Sequence, residues 1–145
     1  MKKKSLITAI ALLIISISFI WKNSVAQNVP GAVRQFKYHA RLGDVGGNKT
    51  TFSKILANPK ITSIEPGGVV KSFTVMFLPK GKDLLGPYSQ RDNNEGKLSQ
   101  RETELIKGFI EAKEMKLRMI IEHIIVEYNN VTDTAAPIVL FVDNE

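Results

Sequence analysis

The chain has 145 residues, 43% hydrophobic and 23% charged, with 20 Lys and Arg against 14 Asp and Glu, a formal net charge of +6, and no cysteine. The missing thiols exclude a disulfide-stapled scaffold and any cysteine-held metal. The length supports one hydrophobic core and not two.

The first segment carries much of the charge. Lys2, Lys3 and Lys4 precede an apolar run from Leu6 to Ile20, and Ser24-Val25-Ala26 supplies small residues after it. This is the layout of a secretory signal peptide over 1–26, cut after Ala26. The run is shorter than the ~20 residues a membrane-spanning helix needs. Trp21 and Lys22 are interface residues, so an uncleaved inner-membrane anchor is the alternative. With no cysteine at the cut, no acyl chain can be attached, and the expectation is an exported periplasmic domain. Residues 1–26 hold four lysines and no acid, so the net charge over 27–145 falls to +2. Scattered charge of that size argues against a nucleic-acid partner, which calls for a concentrated basic face.

Residues 27–35 read as a short lead-in with Pro30-Gly31 as a breaker, and 36–145 as the domain. Phe36, Tyr38 and Ala40 alternate with Lys37, His39 and Arg41, the period of a half-buried strand. Gly43, Gly46 and Gly47 mark a loop. A short helix is predicted over 51–57, capped by Thr50 or Thr51, with Phe52, Ile55 and Leu56 on one face. Asn58-Pro59 ends it. A longer strand runs from Val69 to about Leu78, with Phe73, Val75 and Phe77 on one side. Pro79 to Asp83 is a hairpin turn, and Leu84 to Ser89 the returning arm, placed at a sheet edge by Gly86-Pro87. Gln90 to Lys97 is polar and reads as an exposed loop.

Ser99 and Glu102 have capping-box spacing, which predicts an amphipathic helix over 99–112 with Leu105, Ile106, Phe109 and Ile110 in one stripe. Gly108 inside it costs about 1 kcal/mol against alanine, which a close neighbour would explain. Leu117 to Tyr128 is rich in β-branched residues and predicts a strand. Strict alternation puts Leu117, Met119, Ile121, His123 and Ile125 on one face and Arg118, Ile120, Glu122, Ile124 and Val126 on the other. Both faces are largely apolar, so a central strand covered on both sides is expected. Asn129 to Ala136 turns, and Ile138 to Val142 is the last strand. The predicted core is Phe73, Val75, Phe77, Leu105, Phe109, Ile121 and Ile125, in a β-rich α+β fold.

No catalytic, cofactor or metal constellation is evident. His39 and His123 lie on different strands without metal-ligand spacing; His123 is expected packed and His39 solvated. Glu122 and His123, adjacent on a strand, are expected to face opposite sides. The glycines match no phosphate loop. Asn48-Lys49-Thr50 and Asn130-Val131-Thr132 fit the N-linked acceptor triplet, in predicted exposed turns. A small exported enzyme or ligand-binding protein is the competing class, and it would need a pocket with convergent polar groups.

The order of elements nevertheless has a likeness. Gly46-Gly47-Asn48-Lys49 leads into Ser53-Lys54-Ile55-Leu56 and Asn58-Pro59-Lys60-Ile61. Val70-Lys71-Ser72-Phe73-Thr74-Val75 follows, then Gly96-Lys97-Leu98-Ser99, Leu105-Ile106-Lys107 and Ile120-Ile121-Glu122-His123-Ile124. From Tyr38 to Val142 this resembles the C-terminal domain of GldM, the periplasmic component of the gliding-motility and type IX secretion machine. The resemblance implies a small antiparallel immunoglobulin-like sandwich that binds protein without cofactor or small-molecule substrate. It further implies outer-membrane lipoprotein ring components, or a second copy of the chain, as partners. It draws notice to Asp133-Thr134-Ala135, similar to an O-glycan acceptor triplet of such exported proteins, with Thr134 the candidate for modification. The predicted edge arm and loop supply the candidate partner-contact residues Leu84, Leu85, Tyr88, Arg91, Asn93 and Lys97.

Overall fold

Period-2 hydrophobicity in the second half of the chain becomes a sheet, and capped amphipathic segments become the helices that cover it. A computed structural model describes residues 35–91, 95–112 and 116–144. The expected signal segment 1–26, all of the lead-in but Gln35, and the candidate Asn93 lie outside the described residues. Among those described, no helix is long and apolar enough to cross a membrane.

The elements are β1 (Ala40–Leu42), β2 (Lys49–Thr51), α1 (Phe52–Ala57), β3 (Ile61–Ser63), β4 (Val69–Pro79) and β5 (Leu85–Gln90). They continue as α2 (Gln100–Glu111), β6 (Lys116–Tyr128), β7 (Val131–Thr134) and β8 (Ile138–Asp143). A six-stranded sheet has the order β2-β8-β6-β4-β5, with β7 pairing the far half of β6. Its ladders are antiparallel except β2 with β8. A separate two-stranded ribbon joins β1 to β3. The fold is therefore α+β and strand-rich, with antiparallel and mixed pairing.

Both helices form where the capping residues place them. Thr51 caps α1, its hydroxyl accepting from the Lys54 N–H at 3.4 Å. Ser99 caps α2 in a complete capping box: its Oγ accepts from Glu102 N–H at 3.4 Å, and Glu102 Oε2 accepts from Ser99 N–H at 2.6 Å. Phe109 of α2 meets Phe52 of α1 at 5.8 Å and Phe77 of β4 at 5.6 Å between ring centroids. The helices thus lie on the sheet face that carries Phe73, Val75, Phe77, Met119, Ile121 and Leu140, all buried. Leu42 of β1 and Ile61 of β3 join the same core.

Strict alternation along β6 fails at one residue. Thr74 faces Glu122 while Ser72 faces Ile125, so three steps on β6 oppose two on β4. The extra residue is accommodated at His123, which has φ 52°, a bulge conformation uncommon outside glycine. The burial phase shifts there: Leu117, Met119 and Ile121 are buried before it, Ile124 and Val126 after it. Three expectations are corrected as a result. Ile125 is half-buried on the outer face rather than in the core, and His123 is solvated with its side chain 74% exposed. The outer face of β6 (Arg118, Ile120, Glu122) is not covered by any described element, and its residues are half-buried or exposed.

Smaller corrections concern the first strand and α2. Tyr38 makes only an isolated bridge, to Ala135, and the strand itself starts at Ala40. Leu105 is half-buried against the rim of the core rather than within it, and Ile110 at the end of the predicted stripe is exposed. Gly108 is exposed, and nothing lies within 4 Å of a Cβ built on it, so no close neighbour accounts for it. Replacing Gly108 by Ala is expected to stabilise the protein by up to about 1 kcal/mol through helix propensity alone. Phe73→Ala is expected to destabilise it by about 3–5 kcal/mol, as for other buried phenylalanines. Urea unfolding of both variants measures the two together, with opposite signs expected.

Candidate partner-contact edge

The hairpin of β4 and β5 puts four of the predicted contact residues at one margin of the sheet. β5 pairs with β4 from Phe73↔Gln90 to Phe77↔Leu85, and among the described residues it has no strand on its other side. Tyr88 stands opposite Val75, and Leu85 opposite Phe77. Between them β5 has one residue more than β4, at Gly86-Pro87. Gly86 has φ 112°, and a Cβ there would meet the Val75 carbonyl at 2.9 Å, so the chain's close approach to β4 depends on glycine.

The candidates differ in what they offer. Leu84 is an exposed large apolar side chain, 46% accessible. Leu85 and Tyr88 are half-buried and serve the rim of the core: Tyr88 packs 6.3 Å from the Phe77 ring, with Arg101 of α2 stacked over it at 4.7 Å. Arg91 is exposed at the end of the strand. Lys97 does not belong to this margin. It forms a bridge with Lys60 beside β3 and an ion pair with Glu95. That contact, a hydrogen bond as well as an attraction, holds the Glu95 carboxyl below its ordinary value.

One interaction here was only half visible in the sequence. Glu102 is fully buried, and besides capping α2 it accepts from Gln90 Nε2 at 3.3 Å. The capping box is thereby tied to the end of β5. Thr74 and Ser89 hydroxyls, 3.2 Å apart, join β5 to β4 on the outer face.

The histidines are both solvated, each beside a carboxylate. His123 Nδ1 lies 3.3 Å from Glu122 Oε1, which corrects the expectation that these neighbours face apart. The bulge at His123 breaks the alternation on which that expectation rested. His39 Nδ1 lies 3.7 Å from Glu65 Oε1. Among the described residues no three His, Asp or Glu side chains are grouped as a metal site. Thr134 is not in a turn: it sits in β7, half-buried and paired with Ile125. Asn48 and Asn130 are exposed, Asn130 in the β6–β7 turn at φ 60°.

The outer sheet face is the surface that the sequence reading missed. Val139, Ile120 and Met76 stand in one cross-strand row, and Phe141, Arg118 and Leu78 in the next. Its signal was present in the polar residues at alternate positions: Lys116, Arg118 and Glu122 on β6, Ser72 and Thr74 on β4. Compared with protein-family models, curated proteins and solved structures, the chain matches none.

Glu65 gives a pH test of the β1–β3 region. Burial pushes its carboxyl up, but hydrogen bonds from Ser63 Oγ (2.6 Å), its own amide and the His39 amide (3.0 Å) prevail, and its pKa lies below the ordinary 4.5. A depressed native pKa stabilises the fold above the unfolded value and loses that contribution as pH falls through the native one. Melting temperature measured against pH is expected to drop on the acid side of 4.5, and Glu65→Gln to flatten that limb while leaving the neutral-pH slope unchanged.

Proposed function

We propose that this chain is an exported periplasmic protein-interaction module, not an enzyme, which uses the β5 margin to dock partners by strand addition. The observation that carries the reading is that, among the described residues, no strand pairs with the outer side of β5, next to the exposed Leu84. An edge strand presents unpaired backbone donors and acceptors, and side chains beside it supply selectivity. Pro87 removes one donor, so an added strand would find its ladder mainly along Tyr88 to Gln90.

The likeness to the GldM terminal domain gives this reading its setting: an immunoglobulin-like module working with the gliding and type IX secretion apparatus. The partners would be outer-membrane lipoprotein ring components, or a second copy through the same edge. A signal segment cleaved after Ala26 would deliver it; an uncleaved one would hold it at the inner membrane.

In-cell crosslinking with mass spectrometry tests the proposal. Lys80 and Lys82 are exposed at the β4–β5 turn, and Lys97 lies near the far end of the connection from β5. Crosslinks from these lysines to secretion-ring proteins, or between two copies of the chain, are expected. Crosslinks gathering on unrelated periplasmic proteins, with secretion and gliding unchanged on deletion, would remove the secretion role.

A further inference from the structure

At the end of the open sheet face, where the β4–β5 turn meets the start of β6 and the end of β8, lies a groove of about 450 Å³. That volume is within the range of about 300–1,000 Å³ usual for binding sites. Its build is two-tiered. The inner row is Phe141, Arg118 and Leu78, cross-strand neighbours on β8, β6 and β4. Phe141 and Leu78 are exposed, 45% and 36% accessible. The outer tier continues the ladder, with Asp143 opposite Lys116, and Lys80 donating its amide to the Lys116 carbonyl at 2.9 Å. Lys82 completes the rim from the turn.

The charge is one-sided. Among the described residues, four cations, Lys80, Lys82, Lys116 and Arg118, border the groove against one acid, Asp143. Among the described residues none of the three lysines has an ion-pair partner within 4.0 Å. Clustered like charges at the mouth of an apolar surface repel one another and favour an anionic visitor. Arg118 adds direction: its guanidinium lies 5.1 Å from the Phe141 ring centre. Stacked in that way it leaves its N–H edge to fork onto a carboxylate.

We propose that this groove binds an acidic peptide segment with apolar anchors, the apolar side chains resting on Phe141 and Leu78 and the carboxylates meeting Arg118, Lys116 and Lys80. The groove opens onto the row of Val139, Ile120 and Met76, so the surface is longer than a small ligand needs and suits an extended chain. This surface is separate from the β5 margin, and the proposal stands whether or not strand addition occurs there.

Fluorescence anisotropy of the full chain with a fluorescein-labelled peptide of leucine, phenylalanine and glutamate tests it. The same peptide with glutamine for glutamate is expected to bind at least about tenfold more weakly, a difference of about 1.4 kcal/mol, and the acidic peptide to weaken as salt rises. Lys80→Glu with Lys116→Glu, both exposed positions, should abolish binding of the acidic peptide. Leu84→Ser at the β5 margin should leave it unchanged. Equal binding of the two peptides, a comparison that needs no variant, overturns the proposal. So does retention of binding in the charge-reversed protein, or a signal only with phosphatidylglycerol vesicles, which would make the groove a lipid-facing surface.

Discussion

The bulge at His123 is the constraint on which the two-faced character of this protein depends. β6 is the sheet's central strand, paired with β4 along nearly its whole length and with β8 and β7 in turn on its other side. Without an extra residue, its two halves would present opposite sets of side chains to the helices, because the side-chain period of a strand is two. The bulge absorbs one residue, so Met119 and Ile121 in one half and Ile124 and Val126 in the other all reach the same core. A second irregularity, at Lys71 of β4, restores the register so that Val70 faces Val126. The hydrophobic pattern over 117–126 looks doubly apolar because it is the sum of two phases, with Ile120 and Ile125 adding apolar surface to the outer face.

From that follows the layer arrangement. With Leu117, Met119, Ile121, Ile124 and Val126 of β6 gathered on one side, a single layer of helices is enough to cover them, and α1 and α2 supply it through Phe52, Ile106 and Phe109. Glu102 secures this layer to the sheet: a fully buried carboxylate with hydrogen bonds to Ser99 and Gln90 cannot leave its site without exposing two partners. Among the described residues no element covers the other side of the sheet, and the groove lies at the end of that face.

Legibility followed locality. The helices, the hairpin and the edge position of β5 were readable because each is set by neighbours in sequence: Thr51 and Ser99 as caps, Asn58-Pro59 as a stop, Gly86-Pro87 as an interruption. The phase of β6 was not, since only the register against β4 reveals that His123 is the additional residue; a histidine at φ 52° leaves no mark in a hydrophobicity pattern. That one step misplaced Ile125, His123 and the Glu122–His123 pair together. Of the candidate contacts, Leu84, Leu85, Tyr88 and Arg91 came to one margin because all four lie on or directly beside one short strand, β5. Lys97 did not, because its bridge to Lys60 spans a separation in sequence that no local rule foresees.

An open face and a free edge on one small sheet are a hazard that the same residues contain. Val139, Phe141 and Leu78 are exposed apolar groups, but Arg118 stands between the last two and Lys116 and Asp143 close the row beyond them. Alternating charge with apolar surface keeps such a patch soluble while leaving it able to accept a partner that brings opposite charge. The edges are managed by geometry instead: β2 is three residues long, and β5 carries an extra residue and a proline where a flat strand would invite indiscriminate pairing. If partners dock as proposed, the edge would limit how many of them could add a strand, and the basic groove would limit which sequences could lie beside the sheet. A partner that satisfied both would be selected once by backbone and once by charge.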